Sequence, residues 1–147
     1  MFKHILVPTD GSSLSESTIT RAVTFAKETG ARITFFYAQP DFPIPVYGEG
    51  ALIDPTTPEQ FAASASEEAK RILDHARATA DSAGVVSDVD TLVNEVPYEA
   101  VIDASERHGC DLIFMASHGR RGIAGLLLGS ETQKVLTHSK VPVLVFR

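Results

Sequence analysis

The sequence predicts an α/β protein in which helices cover both faces of an open, parallel, five-stranded sheet. Short apolar segments alternate with amphipathic segments along the chain, in the order βαβαβαβαβ. Most of the apolar segments are continuous, which is typical of parallel strands that are buried on both faces. The length of 147 residues suits one domain, and we expect residues 1–147 to form it.

The first half of the chain begins with a strand at 5–7 and a helix at 13–28. Ser13 and Glu16 have the spacing of a capping box, and Gly30 suits the C-terminal end of this helix. A second strand follows at 33–37. Residues 39–58 are rich in proline and glycine, which predicts a long irregular loop of the kind that is usually functional or mobile.

The second half continues with a helix at 59–83 and a strand at 85–93. Pro97 suits the first turn of a helix that runs to residue 108. A fourth strand is predicted at 111–116. After a glycine-rich segment, the pattern predicts a short helix at 130–138 and a last strand at 141–146.

Composition excludes several classes of function. The net charge of −6 argues against nucleic-acid binding through the overall field. We expect no membrane span, because the chain contains no run of 18 apolar residues. The single Cys110 and the scattered histidines have no spacing typical of metal ligands. The N-terminus lacks the pattern of a signal peptide, so we expect a cytoplasmic protein.

Ligands of open α/β sheets bind beyond the carboxyl ends of the strands. The segments after the first and fourth strands, at 8–13 and 117–132, are rich in glycine and small polar residues. If those strands are neighbours, both segments line one crevice. A helix that begins at Ser130 favours a phosphate, and Arg120 and Arg121 add positive charge.

Other interpretations of these residues stay open. Ser130 and Gln133 have the spacing of a capping box, so Ser130 has an alternative role as a helix cap. The two arginines have an alternative as solvated surface residues. The nucleotide motifs G-x-x-x-x-G-K-[ST] and G-x-G-x-x-G do not occur, nor does the hydrolase motif G-x-S-x-G.

Three segments resemble the universal stress protein family. They are Ile-Leu-Val-Pro-Thr-Asp-Gly-Ser at 5–12, Met-Ala-Ser-His-Gly at 115–119 with Gly-Ser at 129–130, and Lys-Val-Pro-Val-Leu-Val at 140–145. The resemblance covers the whole chain. It implies a Rossmann-like domain with strand order 3-2-1-4-5, and a dimer.

One branch of that family binds ATP through the motif Gly-x-x-Gly-x9-Gly-[Ser/Thr]. Gly119, Gly129 and Ser130 match it, whereas Ala116 replaces the first glycine. A positive φ at Ala116 would cost about 1–2 kcal/mol, whereas a negative φ would only add a methyl group. We expect the following nucleotide-binding residues: Pro8, Thr9, Asp10, Ala38, Met115, Ala116, His118, Gly119, Arg120, Arg121, Gly129, Ser130, Glu131 and Thr132.

Within this set, the resemblance implies that Pro8, Thr9 and Asp10 face the adenosine. It also implies that the Ala38 backbone faces the adenine and that Met115 borders the base and ribose. Gly119 and residues 129–132 would surround the phosphates. Asp10 has the alternative of capping the first helix, and His118 that of an ordinary polar surface residue.

The last predicted strand is almost entirely apolar, and Pro142 favours an edge strand or a strand start. An exposed apolar edge invites pairing with another chain. The resemblance also implies that dimers join through this strand. We therefore expect a homodimer through Val141, Val143, Leu144, Val145 and Phe146.

The functional hypothesis is a cytoplasmic stress-response protein that binds ATP, or AMP or ADP, as a regulatory ligand, with or without magnesium. We expect the loop at 39–58 to differ between the bound and empty states and to influence a regulatory protein partner. One alternative is a nucleotide-free dimeric scaffold, which Ala116 favours. A slow ATPase is the third hypothesis.

Overall fold

A computed structural model describes residues 1–43, 57–119 and 128–147. Most of the predicted loop at 39–58, and both Arg120 and Arg121, lie outside the described residues. The elements are β1 (His4–Pro8), α1 (Ser13–Thr29), β2 (Arg32–Gln39), α2 (Pro58–Ala83), β3 (Ser87–Val93), α3 (Pro97–Arg107), β4 (Leu112–Ala116), α4 (Ser130–His138) and β5 (Val143–Phe146). The predicted order of helices and strands is confirmed.

The strands form one parallel sheet in the order β3-β2-β1-β4-β5, as predicted. The central strand β1 pairs with β2 on one side, where Ile5 lies opposite Ile33. On its other side β1 pairs with β4, where Ile5 lies opposite Leu112. The first and fourth strands are therefore neighbours, and β3 and β5 form the two edges of the sheet.

Helices α1 and α2 pack on one face of this sheet and α3 and α4 on the other. The adjacent residues Phe35 and Phe36 are both fully buried, one in each of the two cores. Successive side chains of a strand point to opposite faces, so a strand covered on both sides needs apolar residues at consecutive positions. Burial of each phenylalanine contributes about 1.5–3 kcal/mol.

The predicted C-terminal ends of the helices lie within one residue of those observed, whereas the predicted capping box of α1 does not form. Gly30 ends α1 with a φ of 70° and Gly84 ends α2 with a φ of 73°, both in the left-handed conformation. The predicted Ser13–Glu16 capping box is wrong. Ser12 is the N-cap of α1, and its Oγ accepts a hydrogen bond from the Ser15 N–H at 3.2 Å.

Some strand boundaries also differ from those predicted. The last strand begins at Val143 instead of residue 141, since Pro142 has no N–H to donate and contributes only its carbonyl, which accepts from the Ile113 N–H at 2.9 Å. The third strand begins at Ser87 instead of 85, and β2 extends to Gln39 because that residue pairs with β3.

The described residues lack two features. None of the helices they form combines the length and apolar character needed to cross a bilayer. No group of three or more His, Cys, Asp or Glu side chains within the same residues is arranged to hold a metal ion.

Candidate functional site

The loops that follow β1 and β4 meet at the carboxyl edge of the sheet. Because β1 and β4 are hydrogen-bonded neighbours, residues 9–12 and 117–119 leave the sheet side by side. The α4 N-terminus lies against the second loop, since the Gly129 N–H donates to the Ser117 carbonyl at 2.7 Å. The fold thus forms the crevice that the topology predicts.

The first loop is held by short-range hydrogen bonds. The Thr9 hydroxyl is buried and lies 2.6 Å from the Ser15 hydroxyl, which also accepts from the Asp10 N–H at 3.2 Å. Asp10 Oδ1 accepts from the Ser12 N–H at 2.9 Å. Gly11 has a φ of 76°, which permits this tight turn. Ser12, and not Asp10, therefore caps α1.

The two loops touch through Asp10 and Gly119. A Cβ built on Gly119 would collide with Asp10 Oδ2 and lie 3.5 Å from its Cγ. A Cβ on Gly129 would lie 3.1 Å from His118 Cα and 3.3 Å from the Ser117 carbonyl oxygen. Close packing explains both glycines, because neither has a positive φ.

Ser130 is the first residue of α4 and is exposed. Gly129 is the N-cap, and among the described residues no side chain caps this end through a hydrogen bond. The interpretation of Ser130 as the helix cap is therefore wrong. The first N–H groups of a helix have no acceptor within it, and together with the helix dipole they favour an anion.

The next two predicted residues hold α4 in place. Glu131 Oε2 accepts from the Tyr98 N–H in the first turn of α3 at 2.9 Å, and its Oε1 accepts from Lys134 Nζ at 3.1 Å. The buried Thr132 hydroxyl donates to the Ala116 carbonyl at 3.0 Å. These side chains thus bind neighbouring elements of the fold, and the predicted place of both residues around the phosphates stays a prediction.

Sequence reasoning missed the contact between α4 and α3. Val96 precedes α3 and offers no side-chain cap, so the Tyr98 N–H finds its acceptor in Glu131. The sequence signal for it is Val96, the apolar residue just before Pro97. A helix that begins without a side-chain cap has N–H groups that need acceptors from elsewhere in the fold.

The strand residues of the predicted site divide between core and crevice. Pro8 is half-buried at the end of β1. Met115 is 8% exposed, and its side chain packs in the core beneath α3 and α4. Ala116 ends β4 with a negative φ, so its methyl group adds no backbone strain.

The backbone of Ala38 faces the crevice. The Phe36 carbonyl accepts from the Thr9 N–H on the β1 side, whereas the Gln39 carbonyl accepts from the Asn94 N–H on the β3 side. Successive residues of a parallel strand direct their backbone groups to alternate sides. The N–H and C=O of Ala38 therefore point to the side of β2 on which β1 lies. Because β1 ends at Pro8, which pairs with Phe36, these two groups lie past the end of β1.

His118 is half-buried, and its Nδ1 lies 3.2 Å from the Ser117 hydroxyl. It lies on the same loop as Gly119. The structure therefore places His118 beside the crevice, while Arg120 and Arg121 are outside the described residues.

Two clefts open near this edge of the sheet. One, of about 160 Å³, adjoins Thr9 and Gly11 and brings residues of α2 to the first loop, which the sequence did not indicate. Its other lining residues are Glu16, Ile19, Arg71, Ile72 and His75. The second, of about 270 Å³, lies beside the end of β2, and its lining includes Gln39, Phe42, Phe61 and Val93.

Comparison with known proteins connects this architecture to one family. The model of the universal stress protein family matches residues 1–147. A universal stress protein from Thermus aquaticus is 32% identical over 148 residues and covers 100% of both chains.

Solved structures are similar over the same length. The structure of MJ0577 from Methanocaldococcus jannaschii is 27% identical, covers 99% of this chain and 95% of its own, and has a TM-score of 0.81. A universal stress protein in complex with cAMP is 26% identical, covers 99% of this chain and 97% of its own, and has a TM-score of 0.71.

Proposed function

This chain belongs to the universal stress protein family, and on that premise we propose that it binds an adenine nucleotide in the crevice between the loops after β1 and β4. The observation that carries the proposal is the meeting of three features at one edge of the sheet. These features are the Asp10 carboxylate, the Gly119 loop and the α4 N-terminus. The similar protein in complex with cAMP supports an adenine nucleotide as the ligand class.

The base and ribose would lie at the β2 side of the crevice. The Ala38 N–H and C=O form a donor and acceptor pair beyond the end of β1, which suits the edge of an adenine ring. The Asp10 carboxylate accepts hydrogen bonds from ribose hydroxyls, and a hydrogen bond to a charged group contributes about 1.5–3 kcal/mol. Both groups lie on segments that the sheet holds in place.

The phosphates would lie at the α4 end. There the α4 N-terminus, which no described side chain caps, offers N–H groups, and the exposed Ser130 hydroxyl offers a further donor. Arg120 and Arg121, although outside the described residues, add two positive charges to this part of an acidic chain. The negative φ of Ala116 removes the strain that would have favoured a nucleotide-free scaffold.

ATP is the nucleotide we propose, acting as a regulatory ligand in a stress response. An anion site built from helix N–H groups does not by itself require a metal ion, so titrations with and without magnesium are both informative. AMP, ADP and cAMP test how much of the affinity comes from the phosphate chain.

We also propose that the chain forms a homodimer through β5. This strand is an edge of the sheet, and Val143, Leu144, Val145 and Phe146 are all half-buried in the single chain. Half-buried apolar side chains on an edge with unpaired backbone groups favour association with a second strand. Light scattering should give about twice the chain mass of 15.8 kDa, and a monomer at micromolar concentration would contradict the proposal.

The nucleotide site is tested by calorimetric titration with ATP and by mass spectrometry of small molecules released from the natively purified protein. We expect binding with a stoichiometry of about one per chain, weakened at least fivefold by Asp10→Ala and by Ser130→Ala. Ser64→Ala is the matched control, because Ser64 is an exposed serine in α2. Absence of binding up to millimolar ATP, about −4 kcal/mol, would exclude the site and favour the scaffold.

A further inference from the structure

We infer that Gly119 is a positioning residue for the Asp10 carboxylate. By lacking a side chain, Gly119 leaves the space that Asp10 Oδ2 occupies, and so determines where this carboxylate faces the crevice. The consequence for ligand affinity rests on the proposed function, whereas the positioning itself is a property of the ligand-free protein.

Contacts on both sides of the carboxylate support this role. Oδ1 accepts from the Ser12 N–H at 2.9 Å, and the Asp10 N–H donates to the Ser15 hydroxyl at 3.2 Å. Oδ2 lies against Gly119, where any Cβ would collide with it. The hydrogen bond at Oδ1 and the close approach of Oδ2 to Gly119 thus both act on the position of this carboxylate.

Backbone conformation does not explain the glycine. Among the described residues the positive φ values belong to Gly11, Gly30, Gly84 and Gly109, and Gly119 is not one of them. An alanine at 119 is thus compatible with the backbone, and its methyl group acts on its surroundings. Among the described residues, the nearest surrounding atoms belong to the Asp10 side chain.

Gly129 provides the contrast. A methyl group there would meet the His118 Cα at 3.1 Å and the Ser117 carbonyl oxygen at 3.3 Å, which are backbone atoms. A side chain can turn aside, whereas a loop backbone moves as a unit. We therefore expect Gly119→Ala to displace the Asp10 carboxylate, and Gly129→Ala to shift the 117–118 segment without acting through Asp10.

A double-mutant cycle tests this assignment. ATP affinity is measured for the unaltered chain, Gly119→Ala, Asp10→Ala and the double variant. We expect Gly119→Ala to weaken binding about tenfold when Asp10 is present and less than twofold when Asp10 is replaced by alanine. Gly129→Ala is the matched control, and its effect should be the same in both backgrounds.

Asp10→Asn provides an isosteric control. Because asparagine has the shape of aspartate, the collision with a methyl group at 119 remains, and Gly119→Ala should still weaken binding in that background. Equal effects of Gly119→Ala in the unaltered chain and in the Asp10→Ala background would overturn the inference and show that the glycine acts directly on the ligand.

Measurements on the ligand-free protein separate this inference from the proposed function. Gly119→Ala should move the 13Cγ resonance of Asp10 and lower Tm, and the fall in Tm should disappear in the Asp10→Ala background. An unmoved Asp10 resonance, or an equal fall in Tm in both backgrounds, would overturn the positioning role. Failure of the unaltered chain to bind ATP would overturn the proposed function alone.

Discussion

Removal of the Glu131 carboxylate should destabilise the fold by loosening the start of α3. This helix begins after Val96, which provides no side-chain cap, and the Tyr98 N–H is satisfied by Glu131 Oε2 at 2.9 Å. In the Glu131→Ala variant, the Tyr98 N–H loses the carboxylate oxygen that accepts its hydrogen bond. Glu131→Gln keeps an oxygen of nearly the same placement but removes the charge.

The expected magnitude follows from the geometry. Loss of a helix N-cap costs about 0.5–2 kcal/mol, and a hydrogen bond to a charged group contributes about 1.5–3 kcal/mol. The Glu131 side chain is 41% exposed, so water partly replaces the lost acceptor. We therefore expect Glu131→Ala to lower the free energy of unfolding by about 1 kcal/mol. For Glu131→Gln we expect about half of that loss.

Urea denaturation measures the change in the free energy of unfolding, and a loss of about 1 kcal/mol corresponds to a fall in Tm of about 4 °C for a chain of this size. Hydrogen exchange at the Tyr98 amide locates the effect, because its protection should fall in Glu131→Ala. Glu67→Ala is the control, since Glu67 is an exposed carboxylate in α2, and we expect it to change stability by less than about 0.5 kcal/mol.

Unaltered protection of the Tyr98 amide in Glu131→Ala would refute the assignment of Glu131 as the cap of α3. ATP affinity supplies a second criterion. Because the carboxylate is directed to α3, Glu131→Gln should change ATP affinity less than threefold. A larger change would place Glu131 among the phosphate ligands, as the family resemblance implies.

Three further outcomes are expected. Thr132→Val should cost about 1 kcal/mol in urea denaturation, because the Ala116 carbonyl loses its donor, whereas Thr137→Val on the exposed side of α4 should cost less. Burial lowers the pKa of His4 below its ordinary value, so the unfolded chain takes up a proton first as pH falls and stability decreases. The fall in Tm between about pH 7 and about pH 5 should be smaller in His4→Gln, and an equal fall would contradict this. Burial raises the pKa of Cys110 to about 12, so its reaction with a thiol reagent near neutral pH should be slow until denaturant is added.

The order of elements was predictable because it depends on local patterns. The consecutive buried residues Phe35 and Phe36 identify a strand covered on both faces, and Gly30 and Gly84 mark helix ends where a left-handed residue is needed. The residue patterns did not show whether β1 and β4 are neighbours. The family resemblance implied the strand order, and the structure confirms it.

Local patterns were insufficient where several similar residues compete. Ser12, Ser13 and Ser15 are all suited to cap α1, and the sequence favoured Ser13 through its spacing from Glu16. The turn at Gly11 and the hydrogen bond from the Ser12 N–H to Asp10 select Ser12 instead. This choice depends on how the chain leaves β1, which spacing alone does not describe.

Periodicity and turn residues act within short stretches of chain, and they were therefore enough to establish the fold class, the helix and strand order and the two loops rich in glycine and small polar residues. That these loops meet follows from the strand order. The directions of the polar side chains became known only from the folded chain. Glu131 turns to Tyr98, Thr132 to the Ala116 carbonyl and Asp10 to the space above Gly119. Each of these contacts joins segments that are distant in sequence, so no local pattern contains it, and a buried or half-buried polar group takes the partner that folding brings within reach.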